Sequence, residues 1–81
     1  MKVRVLLFAR LKELAGTGSL EVELPEKATL ADVWRAVQSM AAGLGAVRPP
    51  PLMVRDLEYA PPDTPLSGGE EVAFLPPVSG G

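Results

Sequence analysis

Hydrophobic and polar positions alternate strictly through Lys2-Val3-Arg4-Val5, and the run then turns continuously apolar at Leu6-Leu7-Phe8. Alternation with a period of two predicts a β-strand, and the apolar continuation predicts a central strand whose later half is covered on both faces. Beyond it, Leu11, Leu14 and Ala15 fall at helical spacing with Arg10, Lys12 and Glu13 outward, and Gly16 closes this short helical segment. Leu20-Glu21-Val22-Glu23-Leu24 alternates again, which predicts an edge-type strand with Leu20, Val22 and Leu24 inward and the glutamates in water. A longer helix begins at Leu30, where Thr29 and Asp32 have the spacing of a capping box. Leu30, Val33, Trp34, Val37 and Met40 or Ala41 then recur at three and four residues and build one apolar stripe. Trp34 lies inside that stripe and reads as core.

Gly43-Leu44-Gly45 ends the helix, and Arg48-Pro49-Pro50-Pro51 predicts a stiff surface connection. Leu52-Met53-Val54 predicts a short strand and the stretch from Leu57 to Ala60 a minor one. The prolines between 61 and 65 exclude regular ladder pairing, and Leu66 plugs the core from a turn. Glu71-Val72-Ala73-Phe74-Leu75 reads as a buried last strand. The order strand, strand, helix, strand, minor strand, strand is that of an α+β β-grasp, or ubiquitin-like, fold. It has a mixed sheet, one main helix packed across one face, and a last strand inserted parallel to the first. Residues 1–75 make this domain, and residues 76–81 make an extended tail.

Composition narrows the function. At 81 residues the chain is long enough for one core and too short for a separate catalytic module. A net charge of −2, with both signs interspersed, provides neither a basic face for nucleic acid nor a polybasic membrane anchor. No apolar run reaches the roughly 20 residues of a membrane span, and the N-terminus lacks a signal-peptide pattern, so the cytoplasm is the expected location. The chain has no cysteine and no histidine. That composition excludes disulfides, a thiolate nucleophile, a Cys/His zinc site and imidazole acid–base chemistry. Of the carboxylates, Glu70 and Glu71 point to opposite faces of a strand and Glu21 and Glu23 share one exposed face, so both pairs read as solvated charge.

The chemistry is therefore sought in Pro76-Pro77-Val78-Ser79-Gly80-Gly81. The double proline favours an extended path, and six residues on such a path span up to about 20 Å. Gly80 and Gly81 lack Cβ atoms, so the end of the chain fits a channel too narrow for ordinary side chains. The terminal carboxylate is ionised at neutral pH. It is a nucleophile toward an activated phosphate but an unreactive acyl group, and it needs activation before it can pass anything on.

Two segments carry a family resemblance. Leu7-Phe8-Ala9-Arg10-Leu11-Lys12-Glu13-Leu14-Ala15-Gly16 and the closing run from Pro65 through Gly81 resemble the opening and the end of the MoaD family, the small sulfur-carrying subunits of molybdopterin synthase. In between, Val54-Arg55-Asp56-Leu57 departs from the Val-Asn-Gln or Val-Asn-Gly common there. The resemblance implies that Gly81, led by Gly80, is adenylated with ATP by an activating enzyme similar to ubiquitin activators. A sulfur donor such as a cysteine desulfurase or rhodanese then converts it to a thiocarboxylate. It further implies that the chain binds no cofactor itself, ATP being consumed by the activating enzyme, and contributes no catalytic side chain. As sulfur donor to a pyranopterin precursor it would work inside the large catalytic subunit, in an assembly of two small and two large subunits. Partner contacts are expected at Phe8, Arg10, Phe74, Leu75, Pro76, Pro77 and Val78, with part of this patch exposed, and Tyr59 and Lys12 as weaker candidates. Sulfur carriers for thiazole synthesis or tRNA thiolation, ubiquitin-like protein modifiers, and a binding module with an inert tail share parts of the same pattern.

Overall fold

In the computed structural model, which describes residues 1–77, the chain runs β1 (Lys2–Leu7), α1 (Ala9–Ala15), β2 (Ser19–Glu23), α2 (Leu30–Met40), a 3₁₀ turn (Ala42–Leu44), β3 (Leu52–Arg55), β4 (Glu58–Tyr59) and β5 (Glu71–Leu75). The strands form a five-stranded sheet in the order β2-β1-β5-β3-β4. β1 and β2 pair antiparallel with Val3 opposite Val22, and β5 lies parallel to β1 with Val72 beside Val5. β3 pairs antiparallel with both β5 and β4. The expected mixed β-grasp sheet is the one observed.

One face of the sheet is closed by α2. Its stripe of Leu30, Val33, Trp34 and Val37 is buried against Val3, Val5, Leu7, Val22, Val72 and Phe74. The Trp34 and Phe74 rings meet edge to face with centroids 5.1 Å apart, the arrangement that ring quadrupoles favour. No polar or charged side chain is buried among the described residues.

The start of α2 shows why a proline-rich stretch suits this fold. The Thr29 N–H donates to Asp32 Oδ2 at 2.8 Å, and the Asp32 N–H donates to Thr29 Oγ1 at 3.3 Å, completing the capping box. The next free amides of the first turn, Leu30 and Ala31, donate to the carbonyls of Thr64 and Pro62 at 3.1 and 2.9 Å. A proline-rich segment lacks donors but keeps its carbonyl acceptors, which is what the N-terminus of a helix requires. The Leu66 N–H donates to the Ala28 carbonyl at 2.9 Å, and the Leu66 side chain is buried beside it.

Three expectations are sharpened or corrected. Of the two residues offered for the end of the α2 stripe, Ala41 packs on the core and Met40 is 57% exposed, because the chain leaves helical geometry at Ala41, φ −128°. Leu44, read from the sequence only as part of the segment that ends the helix, is fully buried, because the 3₁₀ turn folds it back over α1. That approach requires Gly43: a Cβ there would lie 2.2 Å from the Leu14 carbonyl oxygen. Finally, the later half of β1 is covered on one face only. Leu7 is buried, whereas Leu6 is half-buried and Phe8 exposed.

Candidate functional site

The third correction exposes the site. Along β1, Val3, Val5 and Leu7 face α2, so Lys2, Arg4 and Leu6 face the opposite side of the sheet, across which no described element packs. Register then decides which side chains share that open face. Leu6 lies beside Ala73 of β5, Ala73 beside Val54 of β3, and Val54 beside Tyr59 of β4, an apolar row crossing four strands. Leu75 pairs with Leu52 one step further along. Phe8, just past β1, is tied in by its N–H donating to the Phe74 carbonyl at 3.3 Å.

Together Leu6, Phe8, Val54, Leu57, Tyr59, Ala73 and Leu75, with Glu71 at the edge, line a shallow depression of about 240 Å³. Phe8 is 45% exposed, Tyr59 72% and Leu57 90%, a concentration of large apolar side chains that a lone chain gains nothing by presenting to water. The other half of the face is charged, with Lys2 beside Glu23 and Arg4 between Glu21 and Glu71. Because β1 and β5 are parallel, both deliver their C-terminal ends to the apolar half. The depression and the departure of the chain into Pro76-Pro77 therefore lie at one end of the sheet.

On the flank of the same exit, Pro76 and Pro77 line a groove of about 370 Å³ with Leu11 and Leu14 of α1 and with Arg10 and Arg48 at its sides. Arg10 is exposed and reaches Glu13 at 3.6 Å. Of the residues expected to meet a partner, Phe8 and Leu75 thus lie on the open face, and Arg10, Pro76 and Pro77 surround the exit. Phe74 is corrected: it is wholly buried, because it shares the inward parity of Val72 and inserts against Trp34. Val78, Gly80 and Gly81 lie outside the described residues. Sequence reasoning missed Leu6, Val54, Leu57 and Ala73. A signal for two of them was present, since Leu6 and Phe8 alternate with buried residues as Ala73 and Leu75 do.

Among the described residues no group of three or more acidic side chains is placed to hold a metal ion, and no helix is long and apolar enough to cross a membrane. Asp32 carries a perturbed pKa, held below the ordinary aspartate range first by the Thr29 backbone N–H, then by the Thr29 hydroxyl and by Arg35. This group caps α2 and belongs to the fold. Among the described residues the arrangement sets an apolar depression on the open face of the sheet beside the exit of the chain into Pro76-Pro77.

Comparison with known proteins agrees with this anatomy. The ThiS family pattern matches residues 5–81. The molybdopterin synthase sulfur carrier subunit of Escherichia coli K12 is 37% identical over 81 residues, covering 98% of this chain and 99% of that protein. Among solved structures, SAMP1 of Haloferax volcanii superposes with a TM-score of 0.85 at 29% identity over the full length of both chains. A protein described as a putative molybdopterin converting factor, subunit 1, of Pyrococcus furiosus does so at 0.83 and 29% identity, over 96% of this chain and 99% of that one. With nearly its whole length matched, the chain belongs to the ThiS family and, within it, to the molybdopterin synthase sulfur carrier subunits.

Proposed function

We propose that this chain carries sulfur as a thiocarboxylate on Gly81 and delivers it, inside the large subunit of a molybdopterin synthase, to a pyranopterin precursor of the molybdenum cofactor. The observation that supports this most directly is the coincidence of the apolar half of the open face with the exit of the chain into Pro76-Pro77. A protein gripping that face is positioned to receive whatever the tail bears. In the first step a Gly81 carboxylate oxygen attacks the α-phosphate of ATP on an activating enzyme, pyrophosphate leaves, and an acyl adenylate remains. The outer sulfur of a persulfide donor then attacks the acyl carbon and displaces AMP to give an acyl disulfide. A second thiol of the donor system cleaves that S–S bond, ending as a disulfide with the donor cysteine and releasing the thiocarboxylate. The large subunit supplies the groups that bind and orient the acceptor, and the carrier leaves as a carboxylate to be recharged. Phe8, Leu75 and the prolines at the exit serve docking. Assembly as two small and two large subunits belongs to the same reading, as does work in the cytoplasm.

The test is intact-mass spectrometry after incubation with ATP, the activating enzyme and a sulfur donor of the same organism, alongside a chain lacking Gly81. The expected product has one oxygen exchanged for sulfur on the C-terminal peptide, and the truncated chain stays unmodified. No mass change in a reaction that charges another carrier overturns the proposal. The likeness to SAMP1, described as a small archaeal modifier protein, favours one second reading: conjugation of Gly81 to lysines of other proteins. Higher-mass adducts in cell lysates, lost on deletion of Gly81, would distinguish it.

A further inference from the structure

The turn between β3 and β4 holds a residue whose conformation and exposure are both unfavourable in the free chain. Val54 pairs with Tyr59 and Arg55 with Glu58, so Asp56 and Leu57 are the two central residues of a tight hairpin. Both have positive φ, 48° and 71°. Paired positive φ values characterise the type I′ hairpin turn, in which Asn-Gly and Asp-Gly are preferred. Asp56 suits its position and Leu57 does not, since the left-handed region crowds a Cβ against the backbone and glycine or asparagine occupies it with less strain. Leu57 is also 90% exposed, so no burial within the chain offsets that strain.

The turn is nonetheless firmly held. The Asp56 N–H donates to the Glu71 carbonyl at 2.9 Å, and the Glu71 N–H donates to Asp56 Oδ1 at 3.0 Å. This reciprocal pair fastens the turn to the first residue of β5, the strand that leads into the tail. Leu57 is thereby set at the rim of the depression lined by Phe8, Tyr59 and Leu75. Whatever protein receives the tail must approach this end of the sheet, and a rigidly presented leucine then meets it without first losing loop entropy.

We propose that Leu57 is a prepositioned apolar knob that inserts into a leucine-sized socket on the large synthase subunit and anchors the docking of the open face. This rests on the carrier reading above. A self-associating pair of carriers is the less favoured occupant, because it would cover the end of the sheet from which the tail departs.

The experiment compares the full chain, Leu57→Asn and Leu57→Met for calorimetric binding to the large subunit of the same organism, and for thermal unfolding alone. Asparagine tolerates the left-handed turn, so Leu57→Asn should unfold a few degrees higher than the parent while binding roughly tenfold or more weakly, as expected for loss of an interface anchor. Leu57→Met should keep affinity within about threefold. Unchanged affinity in Leu57→Asn overturns the knob, and so does a lower unfolding temperature, which would make the leucine a support of the fold. If the parent is charged with sulfur at Gly81 yet does not bind the large subunit, the knob fails and the carrier chemistry stands. If charging fails as well, the carrier reading itself falls.

Discussion

Phe8 and Phe74 are both phenylalanines near the tail, and truncating each to alanine should have opposite consequences. Phe74 is wholly buried and packs edge to face on Trp34 at 5.1 Å. Phe74→Ala removes its transfer free energy and leaves a cavity between α2 and the centre of the sheet, a loss of about 3–5 kcal/mol. An aromatic pair contributes about 0.5–1.5 kcal/mol of such a loss beyond area, recoverable in a double-mutant cycle with Trp34→Leu. A domain of this size has a stability on the order of 4–12 kcal/mol, so the variant loses a large share of it. At about 4–8 °C per kcal/mol its unfolding midpoint should fall by at least roughly 12 °C. Phe8 is 45% exposed, and Phe8→Ala should cost about 1 kcal/mol or less while weakening capture by the large subunit. Urea unfolding gives the stabilities, and calorimetric titration gives the affinities. A Phe74→Ala chain within about 1 kcal/mol of the parent would refute the assignment of Phe74 to the core. A Phe8→Ala chain that binds normally would remove Phe8 from the docking face.

Ala73→Asp puts a charge in the middle of the apolar row between Leu6 and Val54; it should cost about 1 kcal/mol or less of stability and weaken binding to the large subunit at least tenfold, and equal affinity in a titration would count against the open face. Gly43→Ala should lose about 1–3 kcal/mol, because the added Cβ would lie 2.2 Å from a backbone oxygen that cannot swing aside; chemical denaturation checks this. Asp32 has a lowered pKa in the folded chain, so the unfolded chain binds its proton more readily. The stabilisation is therefore complete above the unfolded value of about 3.9 and is lost as pH falls through the lower folded value. The gap in unfolding temperature between the parent and Asp32→Ala should be widest near neutral pH and narrow below about pH 4, and a gap independent of pH would contradict the capping role.

Strand and helix positions were readable because each leaves a period in the chain. Val3, Val5 and Leu7 repeat every second residue, and Leu30, Val33, Trp34 and Val37 every third or fourth, so β1 and α2 were identifiable before their neighbours were known. The capping box was equally legible, since Thr29 and Asp32 interact across three residues. Leu44 was not, because a 3₁₀ turn of three residues is too short to show a period. Nor was the role of the proline-rich loop, whose value lies in carbonyls meeting the amides of Leu30 and Ala31, more than thirty residues away in sequence. Leu57 was read as the first residue of the minor strand, whereas it lies in the turn before β4, because a positive φ leaves no mark in the hydrophobic pattern.

The open face of the sheet marks the boundary between the two kinds of information. Alternation divides β1 and β5 into two sets of side chains, and in both strands the two sets are apolar toward the C-terminal end. Parity with Lys2, Arg4 and Glu71 marks Leu6, Phe8, Ala73 and Leu75 as the outward set. Nothing local says whether another element covers that set, so Phe74 and Phe8 both read as residues of covered central strands. In space they differ, because α2 covers one face, where Leu7 and Phe74 are sealed, and leaves Leu6, Phe8, Ala73 and Leu75 on the other. Periodicity arises between neighbours along the chain and is therefore written in the sequence, whereas coverage arises between segments brought together by folding.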